Sequence, residues 1–220
     1  MIAAHRFDNG LRYRSEDHPS NIAFTPNYVL APVRAALGGW IDLDPCTTPD
    51  NPTRAEFFYA PPEDGAALPW NVDSIYVNPP YGADRRRGTT IKDWLRKCAA
   101  AHEDHGSEVL ALVPVATNTK HWKLYVFGAA AAVAFLYDTR LRFLVDGKDE
   151  GKGAPMSCAM VYWGKHVARF DEVFTPFGAV LDLRDLQGKP VGVAREERTT
   201  LLFPTDKLST HAQPKRRAHR

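Results

Sequence analysis

Continuous apolar runs at residues 75–77, 109–113 and 131–137 are the clearest feature of the hydrophobic pattern along the chain. Short apolar runs bounded by turn residues are typical of strands that are buried on both faces of a sheet. A fourth run, at residues 158–163, predicts the last strand of that sheet. Residues 140–145 instead alternate charged and apolar side chains, which favours an antiparallel strand with one solvated face.

Apolar residues recur at helical spacing in two stretches. Residues 25–37 begin with Thr-Pro, which are the residue types of a helix N-cap and a first helical position. The two glycines at 38–39 predict its end, and Pro32 predicts a kink or a division within it. Residues 90–105 predict a second, amphipathic helix with a threonine N-cap and a glycine after its end.

The alternation of strands and helices predicts a single α/β domain with a mostly parallel, Rossmann-like sheet. Residues 40–44 add a strand that ends in Asp-Pro. Residues 49–73 hold only one short strand or helical turn between long loops, so the sheet is expected to be abbreviated at one side. We assign residues 22–203 to this domain, after a polar lead-in at 1–21 and before a basic tail at 204–220 that is expected to be disordered.

The run at residues 75–77 ends in Asn-Pro-Pro-Tyr, at residues 78–81. Each proline fixes φ and lacks an N–H, so the backbone is stiff at the carboxyl end of the predicted strand. Open α/β sheets bind ligands at that edge. A rigid turn there would hold an amide and an aromatic ring in the crevice, which suits a flat, hydrogen-bonding substrate such as a nucleobase with an exocyclic amine.

These residue types fit transfer of a group to an aromatic amine. Such an amine is a poor nucleophile because its lone pair is delocalised into the ring. The Asn78 side-chain oxygen and the Pro79 carbonyl could accept hydrogen bonds from the –NH2 group and localise that lone pair, while Tyr81 could stack on the base. The alternative is a Pro-Pro strand terminator followed by a surface tyrosine.

Composition adds few constraints. The 220 residues are 44% hydrophobic and 25% charged, as in an ordinary soluble globular protein. We expect no membrane span, no secretory signal and no metal site. The net charge of +2 means that a nucleic-acid partner would need local basic patches. Three widely spaced cysteines fit a reducing cytoplasm rather than a disulfide framework: Cys46, Cys98 and Cys158.

Asn-Pro-Pro-Tyr at residues 78–81 resembles the signature of S-adenosylmethionine-dependent amino-methyltransferases, and the wider pattern is similar to the phage-type Dam family of DNA N6-adenine methyltransferases. The resemblance covers roughly residues 22–165. Its pieces run in the family's order: Phe24-Thr25-Pro26, Leu43-Asp44-Pro45-Cys46, Asp64-Gly65, Trp70, Asn78-Pro79-Pro80-Tyr81-Gly82, Leu112-Val113-Pro114, Arg140-Leu141-Arg142-Phe143 and Ala154-Pro155. It implies the methyltransferase fold with an antiparallel sheet edge, S-adenosylmethionine as cofactor, and adenine flipped out of double-stranded DNA as substrate.

The resemblance also implies the site residues. The catalytic turn is Asn78, Pro79, Pro80 and Tyr81. Asp44 would pair with the cofactor's α-ammonium, and Asp64 would lie beside its adenine. The full set implied to bind the cofactor is Phe24, Thr25, Pro26, Asp44, Pro45, Cys46, Asn51, Asp64 and Asn78. For Asn51 and Asp64, an exposed polar loop residue remains an alternative.

Basic and polar residues near the turn are the candidates for DNA contacts. Three consecutive arginines follow it and would suit phosphate groups, unless they form a solvated loop. Residues 117–122 open a further element at the same sheet edge, although core is the preferred interpretation of the Trp122 ring. The complete set is Arg85, Arg86, Arg87, Thr117, Thr119, Lys120 and, by resemblance, Arg140 and Arg142.

Two other functions remain open at this point. The four-residue signature also serves methyltransferases that act on RNA adenine, cytosine N4 or a protein glutamine side chain. The loop after Asp44 lacks the glycines that many methyltransferases place there, which motivates a second alternative, a DNA-binding protein on an inactive methyltransferase scaffold.

Overall fold

The computed structural model describes residues 25, 27–84, 87–137, 144–145, 148–149 and 156–187. All of these lie in one compact unit that ends at Gln187. The predicted lead-in, the predicted tail and the domain end at residue 203 fall outside the described residues, so the domain limits stay a prediction. Six predicted site residues also fall outside them: Phe24, Pro26, Arg85, Arg86, Arg140 and Arg142.

The strands of the described residues are β1 Leu43–Asp44, β2 Phe57–Phe58, β3 Ser74–Val77, β4 Glu108–Pro114, β5 Ala132–Leu136, β6 Leu144–Val145, β7 Lys148–Asp149, β8 Cys158–Trp163 and β9 Gly178–Asp182. Seven of them form one mixed sheet, in the order β2-β1-β3-β4-β8-β5-β9. The strands β2, β1, β3 and β4 are parallel neighbours, and every pair from β4 onward is antiparallel. A separate pair is formed by β6 and β7.

The four apolar runs all form strands, and the predicted parallel arrangement holds for the first part of the sheet. The strand predicted at residues 40–44 is shorter, Leu43–Asp44. Trp40 before it is exposed, and the Asp42 carboxylate accepts hydrogen bonds from the N–H and the hydroxyl of Ser74. At the start of this strand, these side-chain hydrogen bonds replace part of the regular backbone ladder.

The end of the sheet differs from the prediction. β8 was expected to be the last strand, but it lies between β4 and β5, and β9 follows it at the outer edge. Residues 165–203 were expected to be a small addition to the core, whereas Gly178–Asp182 pairs with β5 as part of the sheet. The apolar run of this edge strand is short, Ala179-Val180-Leu181, and its side chains are partly or fully exposed. Such a strand differs from the longer runs of strands that are buried on both faces, so the pattern did not reveal it.

Helices cover both faces of the sheet. The helices α1 (Asn27–Ala36) and α3 (Val167–Phe174) pack with one face, and α2 (Ile91–His105) packs with the other. Pro32 lies inside α1 without dividing it. Because proline has no N–H, the carbonyl of Tyr28, four residues earlier, lacks its helical hydrogen bond. Tyr28 lies in the first turn and its side chain is exposed, so water can replace the missing N–H.

The second predicted helix, α2, has the predicted N-cap and the predicted glycine at its end. Asp93 accepts from the N–H and hydroxyl of Thr90, as the predicted cap requires, and Gly106 ends α2 with φ 73°.

After β4, Trp122–Phe127 forms a π-helix. Trp122 is fully buried and donates to the Pro114 carbonyl over 3.1 Å, so its interpretation as a core residue is confirmed. Across the described residues, no helix has the length and apolar character needed to cross a bilayer.

Candidate active site

A cleft of about 820 Å³, solvent space included, opens at the carboxyl ends of β1, β2 and β3. It lies where parallel strands end, which is the edge at which open α/β sheets bind ligands. The cleft brings together most of the described residues that the sequence predicted for the cofactor. These are Thr25, Asp44, Pro45, Cys46, Asp64 and Asn78.

The turn after β3 is held in place by Thr25, which lies just before α1. The Asn78 side-chain nitrogen donates to the Thr25 hydroxyl over 3.1 Å. The same hydroxyl lies 2.8 Å from the Tyr76 hydroxyl, which is completely buried within β3. The amide at the mouth of the cleft is therefore fixed by two hydroxyl groups in a row.

The remaining residues of the turn divide between the core and the cleft. Pro79 is buried, whereas Pro80 is exposed and lines the cleft. Tyr81 is partly buried and packs against the core cluster under α1. Its hydroxyl lies 3.4 Å from the Leu112 carbonyl and 3.8 Å from the Cys158 sulfur. Burial raises the pKa of Tyr81, so this phenol is neutral at ordinary pH.

Asp44 is a buried carboxylate at the floor of the cleft. It accepts the Thr53 hydroxyl over 2.8 Å and the Cys46 N–H over 3.1 Å. Burial raises the pKa of Asp44 to about 6 in spite of these bonds, which act in the opposite direction. The group is therefore largely ionised at neutral pH, and a cation placed in the cleft would stabilise its charge.

The loop after Asp44 adopts its course without glycine. Asn51 and Arg54 have the left-handed φ values of 43° and 52°, a region where asparagine is one of the tolerated residues. The Asn51 side chain accepts from the Ala55 N–H over 3.2 Å and donates to the Ala55 carbonyl over 2.9 Å. It also lies 3.2 Å from the Thr53 hydroxyl. Asn51 was predicted to bind the cofactor; it supports the Asp44 partner Thr53 and does not line the cleft.

A close backbone approach is made instead by the loop after β2. A Cβ atom at Gly65 would lie 1.7 Å from the Pro45 carbonyl oxygen, so only glycine fits there. This loop is anchored from below, because the Trp70 ring nitrogen donates to the Gly65 carbonyl over 2.9 Å. Lys97 donates to the Ala66 carbonyl over 2.8 Å and lies over the Trp70 ring. Asp64, which lines the cleft, thus stands in a firmly held loop.

Thr48 is a site residue that sequence reasoning missed. It lines the cleft and is 8% exposed. Its hydroxyl has no hydrogen-bond partner among the described residues. A buried hydroxyl without a partner costs free energy, and a ligand in the cleft would supply the bond. No signal in the sequence distinguished Thr48 from its neighbours, just as none marked Thr53 or Tyr76.

The described candidates for DNA contacts are Arg87, Thr117, Thr119 and Lys120. Arg87 lines it, pairs with Asp84 over 3.2 Å and donates to the Pro62 carbonyl over 3.2 Å. Thr117 and Lys120 are exposed after β4, outside the cleft. Thr119 bonds back to the Ala116 carbonyl over 2.6 Å. Within the part of the chain that the structure describes, no group of three or more His, Cys, Asp or Glu side chains could hold a metal ion.

Comparison with known proteins identifies one family. The model of one family, Dam, DNA N-6-adenine-methyltransferase, matches residues 16–187. The match spans both halves of the sheet and every described residue of the cleft. No match was found among curated proteins or among solved structures.

Proposed function

The chain belongs to the Dam family of DNA N-6-adenine-methyltransferases, and on that premise we propose that it transfers a methyl group from S-adenosylmethionine to N6 of adenine in double-stranded DNA. The observation that carries the proposal is the Asn78 amide, held by Thr25 beside the cleft that contains Asp44. An acceptor-orienting amide and a cation-binding carboxylate are the two groups that such a transfer requires, and they line one cleft.

The Asn78 amide and the Pro79 carbonyl would orient the acceptor amine. Because the Asn78 nitrogen points to Thr25, the side-chain oxygen lies on the opposite side of the amide group and would accept a hydrogen bond from the adenine amine. The Pro79 carbonyl would accept the second one. Together they would draw the nitrogen toward tetrahedral geometry and localise its lone pair toward the methyl donor. No side-chain nucleophile is needed.

Residues of the cleft fit S-adenosylmethionine. The Asp44 carboxylate would pair with its ammonium group, and this pairing would offset the burial that raises the pKa of Asp44. The Thr48 hydroxyl, which has no partner among the described residues, would gain a hydrogen bond to a polar group of the ligand. When bound, the cofactor supplies an electrophilic methyl group on a sulfonium. The Gly65 approach to Pro45 gives the cleft a wall that no larger residue could form.

DNA must present its adenine outside the stack to reach this cleft, because a paired amine is not accessible. Tyr81 packs against the core but is only partly buried, and the part of its ring outside the core would stack on the extruded base. Pro80 would contact the edge of the base at the exposed rim. Arg87 and Lys120 would contact phosphate groups beside the site, since both carry positive charge near the opening or at the same sheet edge. We also propose that the sheet is of the Rossmann-like methyltransferase type, on the strength of its four parallel strands and the cleft at their carboxyl ends.

Transfer of labelled methyl groups tests the proposal. The full chain is incubated with double-stranded DNA and labelled S-adenosylmethionine, and the DNA is digested to nucleosides to identify the product. N6-methyladenine is the expected product. Asn78→Ala and Tyr81→Ala should each lose most turnover while cofactor binding by calorimetry persists. Matched controls are Asn71→Ala and Tyr137→Ala, which remove exposed residues of the same types away from the cleft.

The same assay separates the alternatives. Label in RNA, in cytosine or in protein, with none in DNA adenine, would replace the acceptor that we propose. Absent cofactor binding in both the free and the DNA-bound protein would favour a DNA-binding protein on an inactive scaffold. Unchanged methylation by both Asn78→Ala and Tyr81→Ala would rule out the proposed chemistry.

A further inference from the structure

We infer that Tyr76 is a positioning residue that acts through Thr25 to fix the orientation of the Asn78 amide. The inference deepens the proposed function and rests on it, because the amide matters as the acceptor-orienting group. Tyr76 touches neither the cleft nor the substrate: it is completely buried and does not line the cleft.

The strand geometry places the three groups in a row. Tyr76 and Asn78 are two residues apart, and side chains two apart on an extended chain point to the same face. Tyr76 belongs to the core cluster formed with α1, and Thr25 stands just before that helix. The distances are 2.8 Å from the Tyr76 hydroxyl to the Thr25 hydroxyl and 3.1 Å from there to the Asn78 nitrogen.

The donor and the acceptor of each hydrogen bond in this row follow from the groups that form it. Burial raises the pKa of Tyr76 well beyond its ordinary value, so the phenol keeps its proton. In the described part of the chain its hydrogen-bond partner is Thr25, and a buried donor must be satisfied, so Tyr76 donates. The Asn78 nitrogen can only donate. The Thr25 oxygen therefore accepts twice, and its own proton is left to point into the cleft that Thr25 lines.

The direction of these hydrogen bonds determines which end of the Asn78 amide faces the substrate. With both lone pairs of Thr25 engaged, the amide nitrogen is the end that meets Thr25. Without the Tyr76 hydroxyl, the Thr25 proton could turn to the Asn78 oxygen, so Thr25 would no longer select between the two orientations of the amide. A reversed amide would place N–H groups against the amine of the base, so that two donors would face each other.

Tyr76→Phe is the direct test, and Tyr162→Phe is its matched control. Tyr162 is also completely buried, and its hydroxyl is bonded to Glu108, away from the cleft. We expect Tyr76→Phe to lower kcat by about tenfold, with KM for DNA changed by less than about twofold, since it reorients a group and removes no contact with DNA. Tyr162→Phe should keep kcat, although both variants lower the melting temperature.

A comparison at Thr25 needs no Tyr76 variant and keeps the inference falsifiable if Tyr76→Phe folds poorly. Thr25→Ser keeps the hydroxyl and should retain far more kcat than Thr25→Val. The double variant Thr25→Val with Tyr76→Phe should be no slower than Thr25→Val alone, because removing Thr25 already breaks the row. In the free protein, the side-chain amide resonances of Asn78 should shift in Tyr76→Phe and stay in place in Tyr162→Phe.

Equal kcat values and an unmoved Asn78 resonance in Tyr76→Phe and Tyr162→Phe would overturn the inference, as would additive effects in the double variant. Failure of the proposed function is a separate result, since wild-type protein would then place no methyl group on DNA adenine. The resonance measurement uses neither DNA nor cofactor, so it would still test the hydrogen-bonded row in that event.

Discussion

Replacement of Asp44 by asparagine should make the protein more stable and should weaken cofactor binding in the cleft. Asp44 is buried, and within the described part of the chain no positively charged side chain shifts its pKa. Asparagine is nearly isosteric and carries no charge to desolvate. The Thr53 hydroxyl can turn to the Asn51 oxygen, 3.2 Å away, and accept from the introduced amide nitrogen, so few hydrogen bonds are lost.

The pKa of Asp44 sets the magnitude. Burial raises it from an ordinary 3.8 to about 6, and about two pKa units correspond to roughly 3 kcal/mol. Between these two values the folded protein binds more protons than the unfolded chain, so stability falls as pH rises and then levels off above about pH 6. The altered hydrogen bonds should cost the variant about 1 kcal/mol. Asp44→Asn should therefore be about 2 kcal/mol more stable than the wild type at about pH 8, and this difference should vanish at about pH 4.

Urea unfolding of both proteins at several pH values measures this difference. Cys46 and Tyr76 lie close enough to influence the charge of Asp44, but burial raises the pKa of both, so both stay neutral over this range. Calorimetry should show weaker binding of S-adenosylmethionine to the variant, because the partner of its ammonium group is gone. A variant that is less stable than the wild type at about pH 8, or a difference that does not vary with pH, would refute the reasoning.

Two other substitutions address the walls of the cleft. Gly65→Ala should cost at least about 2 kcal/mol of stability and weaken cofactor binding, because its Cβ atom would meet the Pro45 carbonyl; thermal melting should show no comparable loss for Gly82→Ala, whose Cβ atom would meet nothing within 4 Å. Thr48→Val should leave the free protein as stable as the wild type or slightly more stable, since it removes a hydroxyl without a partner among the described residues. Calorimetry should nevertheless show several-fold weaker cofactor binding, because a lost hydrogen bond costs about 1 kcal/mol. Unchanged affinity would exclude a contact between Thr48 and the cofactor.

Strands buried on both faces were the most predictable part of the fold. The burial of residues 75–77 and 109–113 is nearly complete, so every position in them is apolar or small and the pattern is unmistakable. The edge strand Gly178–Asp182 is half solvated, and its pairing depends on a neighbour far away in the chain. Order within the sheet was also beyond the pattern, because a local run does not determine whether β8 is inserted between β4 and β5.

The candidate site was predictable where residue type and position coincide. Asp44 is the last residue of β1 and Asn78 directly follows β3, and both strands end at the binding edge, so the place of each residue could be inferred from its strand alone. Thr48 and Tyr76 matter through what surrounds them after folding. Their roles depend on burial and on partners from other segments, and no spacing rule in the sequence contains that information.

The bond between Thr25 and Asn78 joins positions that are 53 residues apart. Contacts of that sequence separation form only after the intervening chain has paid its loop-closure entropy. A partly folded chain that had assembled β3 and its prolyl turn, but had not yet docked the first helix, would carry every signature residue and still hold its amide at random. Competence for chemistry should thus arise late, together with the last tertiary contacts, rather than with the secondary structure that bears the motif.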